Sequence, residues 1–195
     1  ISNSDAHSPQ KIGREANIFD TDLSFDGITD AIRTKKGFEG TIEFFPEEGK
    51  YHYDGHRACK VRMTPGETVA ADLRCPACGK KATLGVLHRV EALADRKAGF
   101  VPDGSKPYHS LLSLKEIIAD TLGMGVQTKK VDRLYSDLLE ELGNELTILM
   151  EVPVDEIAKT AYPGVADAVA RVRAGKVAIE PGYDGEYGKV SVSRR

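Results

Sequence analysis

Four nitrogen and sulfur donors fall within one short stretch of this sequence. His56-Arg-Ala-Cys59 and Cys75-Pro-Ala-Cys78-Gly79 each place two donors three residues apart, and together they hold all three cysteines of the chain. Two such knuckles offer one imidazole and three thiolates, a Cys₃His set able to close a tetrahedron around Zn²⁺. Four protein ligands leave no position for water or substrate, so such a site is structural rather than catalytic. The competing reading is a Cys-x-x-Cys redox pair beside an unrelated Cys59, but no strand–helix–strand pattern surrounds Cys75. His56 fits the spacing best as the nitrogen ligand, with His52 and His88 as alternates.

Asp5-x-His7 is a second candidate. Side chains two apart in an extended segment share a face, and a carboxylate with an imidazole suits Zn²⁺ or Mn²⁺. Two ligands do not make a site, and spacing alone favours an exposed loop pair. A third candidate is Leu122-Gly123-Met-Gly125-Val126 followed by Thr128-Lys129-Lys130. An apolar–Gly–x–Gly–apolar turn between helices, with lysines opening the second helix, is the helix-hairpin-helix pattern. Its glycines let the backbone approach a DNA phosphate, which meets free N–H groups and the positive end of the helix dipole. An ordinary helical hairpin with solvated lysines is the plain alternative. Arg89, Glu91, Asp95 and Arg96 read as the exposed face of a short helix. Tyr183, Asp184 and Tyr187 could stack on an unpaired base or cover an apolar edge.

The elements that must position these groups fit an α+β protein. At 195 residues, 41% apolar and 29% charged, the chain is in the range of one domain or a few small ones. No apolar run is long enough to span a bilayer, and no signal peptide opens the chain. Cysteines used as metal ligands suggest a reducing compartment, hence a cytoplasmic location. The net charge of −3 does not advertise nucleic-acid binding, though a phosphate-binding face can sit beside acidic surface. The opening Ile1-Ser-Asn-Ser, without an initiator methionine, reads as a start inside a domain.

Helical periodicity predicts a helix after Asp22 or Ser24, stopping at Gly37, and β-formers predict a strand over 40–45. Residues 46–82 read as a metal-held loop, and 83–88 as a returning strand that pairs with the one before Pro46. Beyond the turn-rich stretch 99–107 the chain reads as helical. Ser113-x-x-Glu116 has capping-box spacing, and Val131, Leu134, Tyr135, Leu138, Leu139 and Leu142 mark one buried face of the strongest helix. Shorter helices follow near 154–158 and from Pro163 to Gly175, then a hairpin turning at Asp184-Gly185. A helix–Gly turn–helix pattern recurs faintly at 122–126 and 162–166.

Several strings together resemble the endonuclease Q family. Ser4-Asp-Ala-His7-Ser looks like the last metal-ligand motif of the PHP phosphoesterase fold. The strings from Phe44 to Cys59, Cys75 to Lys80, Gly85 to Glu91 and Ile179 to Lys189 resemble endonuclease Q over nearly the whole length. Proteins of this type are also labelled as related to UvrD/Rep helicases, but no phosphate-binding Gly-x-x-x-x-Gly-Lys-Ser/Thr loop occurs here.

The resemblance implies three parts: a C-terminal edge of a PHP barrel (1–37), a small zinc-ribbon-like β module (38–100) and a mainly helical, helix-hairpin-helix-like domain (101–195). It implies a divalent-metal-dependent DNA repair endonuclease cutting 5′ to deaminated bases or abasic sites. Asp5 and His7 would close its catalytic cluster of Zn, Mn or Mg, and His56, Cys59, Cys75 and Cys78 would hold structural zinc. Gly123, Gly125, Thr128, Lys129 and Lys130 would grip duplex DNA carrying a lesion, with no membrane partner. The His-x-His and remaining PHP ligands are absent, so the expectation is a chain that cuts only with a missing PHP region supplied. The alternative is a stand-alone, non-catalytic zinc-stabilised DNA-binding module. A zinc-stabilised protein-interaction domain is a third.

Overall fold

A computed structural model describes residues 1–160 and 162–192. Its elements run β1 (Ala16–Phe19), α1 (Phe25–Thr34), β2 (Phe38–Glu43), β3 (Asp54–His56), β4 (Val61–Met63), α2 (Pro65–Ala70), α3 (Val86–Leu93), β5 (Tyr108–Ser110), α4 (Leu114–Leu122), α5 (Lys129–Leu142), α6 (Glu145–Met150), α7 (Val154–Thr160), α8 (Pro163–Arg173), β6 (Ala178–Glu180) and β7 (Lys189–Ser191). The protein is α+β, in two units. One holds residues 1–45, 103–177 and 191–192; the other holds 46–102 and 178–190. No helix among the described residues is long and apolar enough to cross a membrane.

In the first unit β2 pairs antiparallel with β1 and parallel with β5. Helix α1 begins where the Ser24 side chain accepts the Gly27 N–H at 3.0 Å, satisfying one of the free donors of a helix start. It ends two residues before Gly37, at Lys35 with φ +62°. Gly37 instead serves the following turn: its φ is +74°, and a Cβ there would meet the Asp20 carbonyl oxygen at 2.5 Å.

Helices α4–α8 carry most of the core. Leu114, Ile117, Ile118, Val131, Ile148, Ile157 and Val169 are fully buried, each contributing on the order of 1.5–3 kcal/mol of transfer free energy. The Ser113–Glu116 capping box opens α4. Glu145 then ties three helices: one carboxylate oxygen accepts the Leu114 N–H at 2.7 Å and the other accepts the Tyr135 hydroxyl at 2.9 Å. Burial, with this bond to Glu145, pushes the Tyr135 phenol up to about 12. Arg173 donates to the carbonyls of Ile148, Leu149 and Val152 at 2.6–2.8 Å, closing the open end of α6. At the start of α8 a Cβ on Gly164 would lie 2.7 Å from Thr121 Cγ2, so a glycine is needed where α8 meets α4.

The second unit is built differently. Strands β3 and β4 pair antiparallel, and a Thr64–Glu67 capping box starts α2. Its buried apolar side chains, among the described residues, are Met63, Pro65, Cys75 and Ala82. Residues 83–88 do not form the expected strand. Thr83 alone bridges to Gly55, and α3 begins at Val86. Tertiary partners decide this: the Val86 and Leu87 N–H groups find the carbonyls of Tyr51 and His52 at 2.7 and 3.1 Å, and the Gly85 N–H donates to Asp54 at 2.6 Å. A short apolar run cannot specify strand over helix by its own period.

The units cut the chain differently from a division at 37/38 and 100/101. Strand β2 belongs to the first unit because both its ladder partners lie there. The 178–190 hairpin belongs to the second, since Tyr53 N–H donates to Gly182 at 2.9 Å and Gly185 N–H to Lys50 at 2.8 Å.

Candidate metal centre

Residues 54–63 fold as a tight hairpin, β3–turn–β4, which places His56 at the end of one strand and Cys59 in the 3-10 turn between them. Lys60, in the left-handed region at φ +53°, closes that turn. The second knuckle curls after α2: Gly79 N–H donates to the Cys75 carbonyl at 2.8 Å, and Gly79 takes φ +70°. Arg74 grips the Gly79 carbonyl at 2.9 Å. The result is that one donor atom each from His56, Cys59, Cys75 and Cys78 lies within 4.8 Å of the other three. His56 Nδ1 and Cys78 Sγ are 3.4 Å apart. These four residues could hold a metal ion.

The thiols respond to this crowding in opposite ways. Burial opposes ionisation of Cys75, but the N–H groups of Ala77 and Cys78, with Cys78 and His56, outweigh it and bring the thiol down to about 7. Cys59 is pushed up to about 11, chiefly by its bond to Cys78, then by burial and by Cys75. Protein groups thus favour one thiolate and resist the next, and a divalent cation would supply the missing positive charge.

The alternate histidines are engaged elsewhere. His52 stacks on Tyr53 with ring centroids 5.5 Å apart. His88 Nδ1 pairs with Asp54 at 2.6 Å, and Asp54 is fully buried. That pair escaped the sequence reading because its members lie 34 residues apart. The only available signal was an Asp beside the knuckle.

Asp184 is the other missed structural role. It sits at φ +44° in the β6–β7 turn. One carboxylate oxygen accepts the Arg57 N–H at 2.6 Å and the other accepts the Thr83 hydroxyl at 2.6 Å. Burial works against the charge, but these two bonds, with His56 and Arg57 nearby, hold the carboxyl below its ordinary value. Tyr183 packs against the backbone of Gly55, where a Cβ would meet the ring at 2.5 Å.

In the first unit Asp5 and His7 are exposed, and His7 Nδ1 lies 2.7 Å from the Asp5 carbonyl. Among the described residues no third His, Cys, Asp or Glu joins them in a metal-holding group. Gly123 ends α4 at φ +63°, and Thr128 caps α5 by backbone only; its hydroxyl is buried without a partner. Lys129 and Lys130 are exposed in the first turn of α5. A Cβ on Gly123 would touch nothing and one on Gly125 only Thr128 at 3.9 Å, so the turn's backbone is open to an approaching group.

Residues 113–176 match the family model described as the MJ0043 C-terminal domain, and residues 1–36 match the model described as PHP-associated. The crystal structure of the lesion-specific endonuclease PfuEndoQ from Pyrococcus furiosus superposes at a TM-score of 0.87 with 36% identity, over 97% of this chain and 48% of that one. Over nearly its whole length the chain is similar to one portion of endonuclease Q. A second structure, endonuclease Q with a 27-mer duplex carrying an abasic lesion at its active site, gives a TM-score of 0.81 at 35% identity, over 99% of this chain and 49% of that one. Sequence relatives agree: Methanocaldococcus jannaschii MJ0043 is 37% identical over 98% of this chain and 25% of its own length. Bacillus subtilis YqxK is 30% identical over 97% and 46%. The chain therefore spans half or less of the relatives it matches.

Proposed function

We propose that this chain is the DNA-holding portion of a metal-dependent repair endonuclease that hydrolyses the phosphodiester 5′ to a deaminated base or an abasic site. The likeness to a lesion-specific endonuclease, at 36% identity across 97% of the chain, carries this reading. His56, Cys59, Cys75 and Cys78 hold one structural Zn²⁺. The donor set and its spacing support that role, as does a unit whose buried apolar side chains, among the described residues, are only Met63, Pro65, Cys75 and Ala82. In so thin a core the metal supplies folding free energy, fixing both knuckles together.

Gly123, Gly125 and Thr128 bring backbone against a DNA phosphate, and Lys129 and Lys130 add counterion-releasing charge. Such contacts hold the duplex without reading its sequence. Asp5 and His7 contribute two ligands to the catalytic metals. The remaining ligands and the lesion pocket come from the PHP portion of the family's longer chains. The work is cytoplasmic.

A non-catalytic, zinc-stabilised DNA-binding module is the second reading, favoured by the lack of a third ligand beside Asp5 and His7 among the described residues. The deciding experiment replaces the matching half of the Pyrococcus furiosus relative with this chain. Duplexes carrying one deoxyuridine, deoxyinosine or abasic site are then assayed with the chimera and with this chain alone. We expect salt-dependent binding by both and cutting 5′ to the lesion by the chimera only. A soluble chimera that binds without cutting supports the non-catalytic module, and a chain that binds no DNA removes both readings.

A further inference from the structure

Two tyrosines of the second unit expose large parts of their side chains to water. Tyr51 is 46% and Tyr187 77% exposed, although a tyrosine ring offers on the order of 150–250 Å² for burial. Tyr183, in the same hairpin as Tyr187, is used against Gly55. Lys50 stands between the two exposed rings, its Nζ 5.7 Å from each centroid. Arg57 is beside them: a Cβ on Gly185 would lie 3.5 Å from Arg57 Nη1 and 3.6 Å from the Tyr51 hydroxyl oxygen.

The backbone under this group is fixed from several sides. Gly185 N–H donates to Lys50 and Val86 N–H to Tyr51, at 2.8 and 2.7 Å. Asp184 clamps Arg57 at 2.6 Å. Two solvent-facing rings on a pinned turn, sharing one ammonium and flanked by a guanidinium, have the chemistry of a base-stacking platform with phosphate counter-charges. Asp184 is already satisfied by Arg57 and Thr83, and Glu186, in the same turn, is exposed to water.

We propose that Tyr51 and Tyr187, with Lys50 and Arg57, form a site for unpaired nucleotides of a DNA strand. The rings stack on one or two bases and the cations meet the flanking phosphates. Stacking of this kind is indifferent to base identity, so the site takes single-stranded or locally opened DNA of any sequence. It rests on the DNA-holding reading above and adds a second contact region, in a different unit from the α4–α5 turn.

The test uses the whole chain and oligodeoxythymidine of about ten nucleotides, one copy carrying 5-iododeoxyuridine for photo-cross-linking. Tyr187→Ala and Tyr51→Ala should each weaken single-strand binding about tenfold, Tyr187→Phe should retain it, and cross-links should map to Tyr51 or Tyr187. Lys50→Ala should lower the salt slope by about one. Wild-type binding that both alanine variants share, cross-links confined elsewhere, or binding to duplex but not single strands would each overturn the proposal and leave the DNA-holding reading standing. Failure of the wild type to bind any DNA would remove both.

Discussion

The Asp184 carboxylate accepts the main-chain N–H of Arg57 at 2.6 Å across 127 residues of sequence. It is the bond that seats the β6–β7 turn on the first metal knuckle, and Thr83 completes it from the other side. Its folded-state carboxyl is held below the ordinary value of 3.8. The stability it contributes is therefore fully present above that value and is lost as pH falls through the depressed one. Asp184→Asn keeps a residue type tolerant of positive φ but replaces one acceptor by an NH₂ group. Urea unfolding at pH 7 should show a loss of about 1–2 kcal/mol. Wild type and variant should converge only on acidification well below the ordinary carboxylate value, and equal stability at pH 7 would rule the clamp out.

Metal removal should act on one unit. The purified chain is expected to carry about one zinc, and a strong chelator at pH 7 should strip it slowly. Hydrogen exchange should then show lost protection across 54–88 with α4–α8 still protected, because Ile117, Ile118, Val131 and Val169 form a metal-independent core. Cys75→Ser should reproduce the effect without chelator. A zinc-free chain with native protection in both units would refute the structural role.

His56 and His88 should separate cleanly on substitution. His56→Ala removes a donor from the four-residue cluster and should abolish stoichiometric metal. His88→Ala should leave the metal in place yet cost about 1–3 kcal/mol, since it leaves the fully buried Asp54 carboxylate with the Gly85 N–H as its remaining partner. Metal analysis and urea unfolding on both variants make the comparison. Loss of zinc in the His88 variant at native stability would reverse the assignment.

Lys129 and Lys130 make a prediction about salt. Each lysine that neutralises a phosphate contributes roughly 0.9 to the slope of log affinity against log salt. The double alanine variant should lose close to two from that slope on duplex DNA, uniformly across sequences. Both side chains are exposed, so stability should change by no more than about 0.5 kcal/mol. An unchanged slope would leave the α4–α5 turn as an ordinary helical hairpin.

Much of this protein is legible in its residues. The two knuckles could be paired on paper because metal-ligand spacing is a local property: three residues of turn geometry set each pair of donors. The Ser113–Glu116 box and the apolar stripe of α5 were readable for the same reason, since capping and helical period act within a few residues. What sequence alone left open was every choice that depends on a distant partner. His56 rather than His52 or His88 faces the three sulfurs because Tyr53 and Asp54 occupy the other two rings. Residues 86–93 became helix because carbonyls of Tyr51 and His52, over 30 residues earlier in the chain, accept its first N–H groups. Tyr183 packs while Tyr187 stays in water, although both belong to one short turn, because only the first lies over a glycine. Local spacing fixes which groups can do chemistry, and long-range hydrogen bonds decide which of them are left free to do it.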